Sequence, residues 1–303
     1  KCQGSKREDW IQARESELLP VPYFHVVFTL PDSINSLAIH QPKLVYDTLF
    51  EATWETLQKF GKAKAIQMGM IAVLHTWGQN LSLHPHLHCI VPGGGVDKNG
   101  VWQNIRSDGN FLFPVKALSK IFRAKFCEKI KEKEPIKYEQ IRQGLWQKPW
   151  VVFAKKPFGS PKSVVEYLGR YTHKIAISSH RIKNVDAQNV TFDYKDYRQE
   201  GLKKQMTLTH QEFIRRFSLH ILPKGFVKIR HYGFLSSTWK RQKLKLLQLK
   251  LKVKVLGNRE KKPFLPKCPC CRTGNLHRIA LFDQRGPPAW YLGVSQNTNP
   301  CEN

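Results

Sequence analysis

Acidic side chains are scarce: 23 Asp and Glu stand against 50 Lys and Arg in 303 residues, leaving a formal charge of +27. That excess is far beyond what solubility asks of a domain, and it implies a polyanionic partner, most often nucleic acid. No stretch approaches the roughly 18 uninterrupted apolar residues of a spanning helix, so no membrane role is expected. No secretory signal opens the chain. Lys1 stands where a methionine would, so upstream sequence, with any targeting segment, is expected to be missing. Cysteine is present in an odd number, at 2, 89, 127, 268, 270, 271 and 301, which is not the even framework of a secreted mini-protein and points to a reducing, cytoplasmic setting. No internal repeat is visible. With 41% apolar and 11% aromatic residues the chain is neither disordered nor collagen-like, and its length allows one large domain or two modest ones.

The run Tyr23–Leu30 is β-branched and aromatic and stops at Pro31-Asp32, as a strand entering a turn does. A helix follows over 43–60, with Val45, Leu49, Thr53, Leu57 and Phe60 on one face. Strands at Met68–Trp77 and His84–Val91 are joined by a linker short enough for an antiparallel hairpin. A charged helix at 116–132, a strand Trp150–Ala154 and a helix from Pro161, N-capped by Ser160, come next. The alternating run Lys174–Ile182 and Val190–Tyr194 read as another hairpin around Asp186–Asn189. Strands and helices mix without regular βαβ repetition, which favours α+β.

His84-Pro85-His86-Leu87-His88 sends its three imidazoles to one strand face. With the turn centred between Asn80 and Leu81, Trp77 pairs with His84 and His75 faces His86, giving a metal site of His75, His86 and His88 with open positions on the ion. His84 is the weaker member, because three same-face residues on one strand span too far for one ion. The alternative is a polar strand face whose histidines are merely hydrogen-bonded.

Tyr167 and Tyr171 stand four residues apart, neighbours on a helix. Tyrosine can be a nucleophile when a nearby cation or base helps it to phenolate, and Arg170, His173 and Lys174 are close in sequence. The alternative is core: Val164, Leu168, Tyr171 and Ile175 form an apolar stripe with Tyr167 at its edge.

These features, with the blocks Tyr167–His173, Phe213–Phe217, Leu222–Phe226 and Arg230–Gly233, resemble the HUH-type single-strand endonucleases, and within them the two-tyrosine rolling-circle transposases of bacterial insertion sequences of the IS91 type. The resemblance implies an HUH-like antiparallel sheet with flanking helices, a divalent metal, magnesium or manganese, held by His86 and His88, and Tyr167 and Tyr171 attacking single-stranded DNA at transposon ends to form a 5′-phosphotyrosine. The third ligand is not fixed by the motif; His75 rests on the hairpin register and Gln79 is the fallback. The family carries a cysteine-rich zinc module ahead of the catalytic domain, and Lys1-Cys2-Gln3 looks like its last remnant.

Near the other end Cys268 and Cys271 offer two zinc ligands, with His277 and Cys301 as further candidates; free thiols in a tail are the alternative. Lys240–Lys262 carries ten basic residues and one acid, and reads as a phosphate-contacting arm in which Lys240, Arg241, Lys243 and Lys245 join Arg170 and Lys174. Its Leu and Val positions suit a helix, while the alternation from Leu249 to Val255 suits a strand. The expected division is a zinc-module remnant over 1–20, a catalytic domain over 21–184, a basic DNA-binding extension over 185–256 and a cysteine-containing tail over 257–303. The leading function is a DNA-nicking, strand-transferring transposase. A metal hydrolase using the same histidines with water, or a non-catalytic DNA-binding transposon remnant, are the rivals.

Overall fold

The computed structural model describes residues 11, 13–106, 112–154, 163, 164, 167, 169, 176–252, 267, 268 and 270–276. Two compact units are present: Trp10–Val255, and a second to which Lys1–Asp9 and Leu256–Asn303 belong. The larger unit is α+β, built on antiparallel pairing. In β1 (Tyr23–Thr29) the alternation of the sequence puts Phe24, Val26 and Phe28 on one face. A 3-10 turn, α1 (Asn35–His40) and α2 (Pro42–Lys62) follow, the last with proline in its first turn, where a missing N–H costs nothing. The hairpin is β2 (Gly69–Trp77) and β3 (Leu83–Pro92), succeeded by the small pair β4 (Gly94–Val96) and β5 (Trp102–Asn104). Two helices, α3 (Val115–Lys133) and α4 (Pro135–Trp146), lead to β6 (Val152–Ala154). A separate three-stranded sheet consists of β7 (Ile182–Val185), β8 (Asn189–Asp196) and β9 (Leu202–Thr209). Then come α5 (His210–Ser218), β10 (Ile229–Gly233) and a helical run of Ser237–Trp239, a π turn Lys240–Leu244 and Lys245–Lys250.

The main sheet has the order β10-β2-β3-β1-β6. Its apolar face carries Phe24, Val26, Phe28, Met70, Ala72, Leu74, Leu87, Cys89 and Val91, which pack with Leu49 and Phe50 of α2 and Phe122 and Phe126 of α3. The Phe28 and Phe122 rings meet edge to face at 5.1 Å. The opposite face holds a smaller cluster of Tyr23, Ile71, Val73, Ile90, Val164, Leu244 and Leu247. At one end of that second face, apolar residues give way to histidines.

At Gly233 the chain leaves β10 with φ +60°, and a Cβ there would run into the Met68 carbonyl and the Trp54 ring, so only glycine fits.

One expectation needs revision. The segment expected to be a strand over Lys174–Ile182 is a bend at Ala176-Ile177 and a 3-10 turn at Ser179–Arg181, with the strand starting at Ile182. The reason is the Arg181 guanidinium, which donates to the carbonyls of Ala176, Gln79 and Asp193 and so curls the segment round itself. Of the two readings left open for the basic stretch, the helix holds as far as Lys250, because Leu244 and Leu247 bury on one helical face. Helix α4 was not anticipated: its buried positions are only Tyr138 and Leu145, too sparse to set a clear period. The expected cap at Ser160 and Pro161 lies outside the described residues, while Ser163, Val164, Tyr167 and Gly169 are helical.

Candidate active site

The β2–β3 pairing sets the site. His75 faces His86, Val73 faces His88 and Leu74 faces Leu87, so the odd–even alternation that buries Leu74 and Leu87 under the helices turns all three imidazoles to the opposite face. The register slips between His75 and Trp77, and Trp77 pairs with Leu83 rather than the expected His84. This bulge lets the turn close through Gly78 N–H donating to the Ser82 carbonyl at 2.9 Å, with Leu81 at φ +62°. The turn is braced from outside: Arg216 donates to the Asn80 carbonyl at 3.2 Å, and Leu81 is buried with Ala176, Ile177 and Phe192.

One nitrogen from each of His75, His86 and His88 lies within 4.8 Å of the others. Their ring centroids are 4.6 Å (75 to 88), 4.9 Å (86 to 88) and 5.5 Å (75 to 86) apart. His75 is 2% and His88 9% exposed. The His86 Nδ1 sits 2.7 Å from the His84 carbonyl, which can only accept, so the ring proton is on Nδ1 and the Nε2 lone pair faces inward. Converging imidazole nitrogens, one already fixed as a lone pair, fit a metal ion with protein ligands on one side and room on the other. His84 is set apart, its ring 5.3 Å from His86, and burial holds its pKa below the ordinary histidine value despite Asp32. Gln79 lines the same cleft, and its backbone carbonyl accepts from Arg181.

The cleft measures about 650 Å³ and is walled on the far side by Tyr194, Lys195, Asp196 and Tyr197, from the end of β8 onward. Beside the triad lies His25 of β1, only 3% exposed, with Nε2 2.9 Å from His88 Nδ1. It comes there because Val27 pairs with His88, which puts His25, two residues back, on the same face. Sequence reading missed His25: one histidine in a β-branched run carries no spacing signal, and only strand pairing across 63 residues brings it in. The Tyr167 ring meets His25 edge to face at 4.9 Å, and its hydroxyl oxygen is 3.5 Å from His25 Nδ1. Tyr171, Arg170 and Lys174 lie outside the described residues.

Of the basic arm, Arg241, Lys243 and Lys245 are exposed. Lys240 is not: its side chain is 11% exposed and pairs with Glu17 at 2.6 Å, because the helix face that buries Leu244 also carries Lys240 inward. In the smaller unit Lys267 bridges to Asn275, and Cys271 Sγ accepts from the Gly274 N–H at 3.3 Å. Hydrogen bonds, that of the Thr273 side chain first, lower the Cys271 thiol to about 6. Close by, the Cys268 carbonyl accepts from the Arg272 N–H at 2.9 Å, and the Cys268 N–H donates to the Gly274 carbonyl at 2.8 Å, which closes a tight loop. Cys2, His277 and Cys301 lie outside the described residues.

Residues 69–243 match the family described as "Putative transposase", and residues 1–30 match the IS91-type "Transposase zinc-binding domain". The chain is 40% identical over 322 residues to the "Putative transposase y4qJ" of Sinorhizobium fredii, covering 95% of this chain and 81% of that protein. It is 28% identical over 285 residues to the "Transposase for insertion sequence element IS801" of Pseudomonas savastanoi pv. phaseolicola, covering 88% of this chain and 67% of that one. Among solved structures it is similar to the conjugative relaxase TrwC in complex with oriT DNA, in a metal-bound form, at 14% identity and a TM-score of 0.29, over 37% of this chain and 44% of that chain. Among the described residues no helix is long and apolar enough to cross a membrane.

Proposed function

Since this chain belongs to the IS91-type transposases, we propose that it nicks single-stranded DNA at transposon ends by tyrosine attack and passes the strand on through a 5′-phosphotyrosine. The Tyr167 oxygen attacks the phosphorus, the bond to the 3′-oxygen breaks, and that oxygen leaves with a proton as a 3′-hydroxyl. The phosphodiester energy stays in the tyrosyl bond, so a second end can be joined with no nucleotide cofactor. Tyr171, four residues on, is the second nucleophile for a second cleavage.

The observation that carries this reading is the closeness of the Tyr167 hydroxyl, through His25, to a three-imidazole cluster on an open cleft. His75, His86 and His88 would hold a divalent ion, which supplies polarisation of a phosphoryl oxygen. Imidazole nitrogens suit manganese better than magnesium, whose preference is for oxygen. Arg241, Lys243 and Lys245, with Arg170 and Lys174, are the phosphate contacts that keep the strand in register, and Cys268 and Cys271 are half of a structural zinc site. The setting is the bacterial cytoplasm, on the nucleoid.

The test is incubation with labelled single-stranded DNA bearing element ends and manganese, followed by denaturing electrophoresis. A labelled protein band that survives boiling, and vanishes with chelator, in His86→Ala and His88→Ala, and in the Tyr167→Phe, Tyr171→Phe double variant, is the expected outcome. Cleavage with no protein-linked label would mean a water nucleophile; binding with no cleavage would mean a DNA-binding remnant.

A further inference from the structure

His25 lies outside every motif that the family resemblance uses, yet it is one of the most buried polar side chains of the unit, at 3% exposure. Both of its ring nitrogens are aimed. Nε2 lies 2.9 Å from His88 Nδ1, and Nδ1 lies 3.5 Å from the Tyr167 oxygen. The His25 and His88 ring planes differ by 6° with centroids 5.1 Å apart, the arrangement of two imidazoles joined edge to edge by an in-plane hydrogen bond.

A neutral imidazole has one proton, so each contact constrains the next. His86 has its proton on Nδ1, against the His84 carbonyl. With His88 Nε2 as a ligand, the His88 proton must be on Nδ1, where it is donated to His25 Nε2. The His25 proton is then on Nδ1, and His25 donates to the Tyr167 oxygen. The same contacts admit the reverse assignment when Nε2 of His88 instead carries the proton toward His86 Nε2, 3.2 Å away: His25 then donates to His88, and the tyrosine hydroxyl donates to His25. The two assignments hold the same number of protons. They differ in whether the tyrosine oxygen gives or receives a hydrogen bond, and an oxygen gaining negative charge as it attacks needs to receive one.

We propose that His25 is a positioning residue that reads the ligand state of His88 and, when His88 is a ligand, presents a fixed hydrogen-bond donor to the Tyr167 oxygen. The inference rests on Tyr167 being the nucleophile, the reading given above. It ties readiness of the nucleophile to loading of the metal site, through one ring on a neighbouring strand.

The experiment uses the full chain with nitrogen-15 in its histidines. Magnesium or zinc, both diamagnetic, is titrated in, and the His25 nitrogen shifts are read. The expected result is a change from protonated Nε2 to protonated Nδ1 as metal saturates; a His25 that keeps Nε2 protonated at saturation overturns the proposal. Two variants accompany it. His25→Phe keeps a ring but neither hydrogen bond, and is expected to weaken manganese affinity by calorimetry and slow covalent adduct formation, each about 10–100-fold, the usual cost of losing a partner of a metal-bound histidine. His25→Gln offers one acceptor and one donor and is expected to recover most of both. A Phe variant with parental affinity and adduct rate would reduce His25 to packing. Undiminished adduct in Tyr167→Phe would instead remove the nucleophile reading, and the effects of His25 on metal affinity and on its own tautomer would still be read independently.

Discussion

Mild acid should weaken this fold in good part through one histidine, His231, on an edge strand of the main sheet. His231 of β10 pairs with Ile71 of β2, and Arg14 Nη1 lies 3.3 Å from its Nε2. A guanidinium only donates, so Nε2 accepts and the ring is neutral. Burial first, then the charges of Lys240 and Arg14, lower its pKa from 6.5 to about 3. In the unfolded chain the same ring takes up a proton as pH falls through 6.5; in the folded chain it does not until about 3. The stabilisation is therefore complete above pH 6.5 and is lost progressively between 6.5 and 3. At about pH 4.5 the unfolded state is favoured by roughly two pH units of protonation, or about 2–3 kcal/mol. For a unit of this size that is roughly 4–12 °C in Tm. The assay is urea unfolding of the parent and of His231→Gln, which keeps an acceptor for Arg14 but does not titrate, at pH 7.5, above the window, and at pH 4.5, inside it. Other titrating groups act on both proteins and drop out of the comparison. The parent should lose about 2–3 kcal/mol more than the variant between the two conditions. Equal losses would refute the reasoning.

Two further perturbations probe the backbone and the cysteine pair. Gly233→Ala puts a Cβ at φ +60° against the Met68 carbonyl, and should cost at least about 2 kcal/mol in urea unfolding; a loss below about 0.5 kcal/mol would show that β10 can leave β2 at little cost. With its thiol near 6, Cys271 should be alkylated by iodoacetamide at neutral pH far faster than the buried Cys127, whose thiol is pushed up to about 12, and zinc should protect it. Peptide mapping by mass spectrometry reads both, and equal rates would contradict the assignment.

Much of the site was legible because it is local. His75 and His86 face each other across a five-residue turn, and parity alone puts His88 beside them. A β-branched, aromatic run stopped by Pro31-Asp32 likewise located β1, and a regular apolar stripe located α2. What escaped was set by distance along the chain or by a single side chain. His25 enters only through β1–β3 pairing. Lys240 reads as one more cation of a basic arm, yet Glu17, more than two hundred residues earlier, holds it. The 176–181 segment alternates like a strand and is bent by the hydrogen bonds of Arg181. Residues 185–256 read as a basic extension, although the outermost strand of the catalytic sheet comes from within them.

That last strand sets a timetable for synthesis. β2 lies between β3 and β10, so the hairpin bearing the histidine triad has both strands made by residue 92, while its other neighbour ends at Gly233. At about 5–20 residues per second a ribosome needs on the order of ten to thirty seconds to cover that interval. Throughout it the backbone N–H and C=O groups along the outer side of β2 have no partner strand, and an open edge is a place where nascent chains pair wrongly. A product ended early, before residue 229, would hold every histidine of the triad on a sheet that had never been closed.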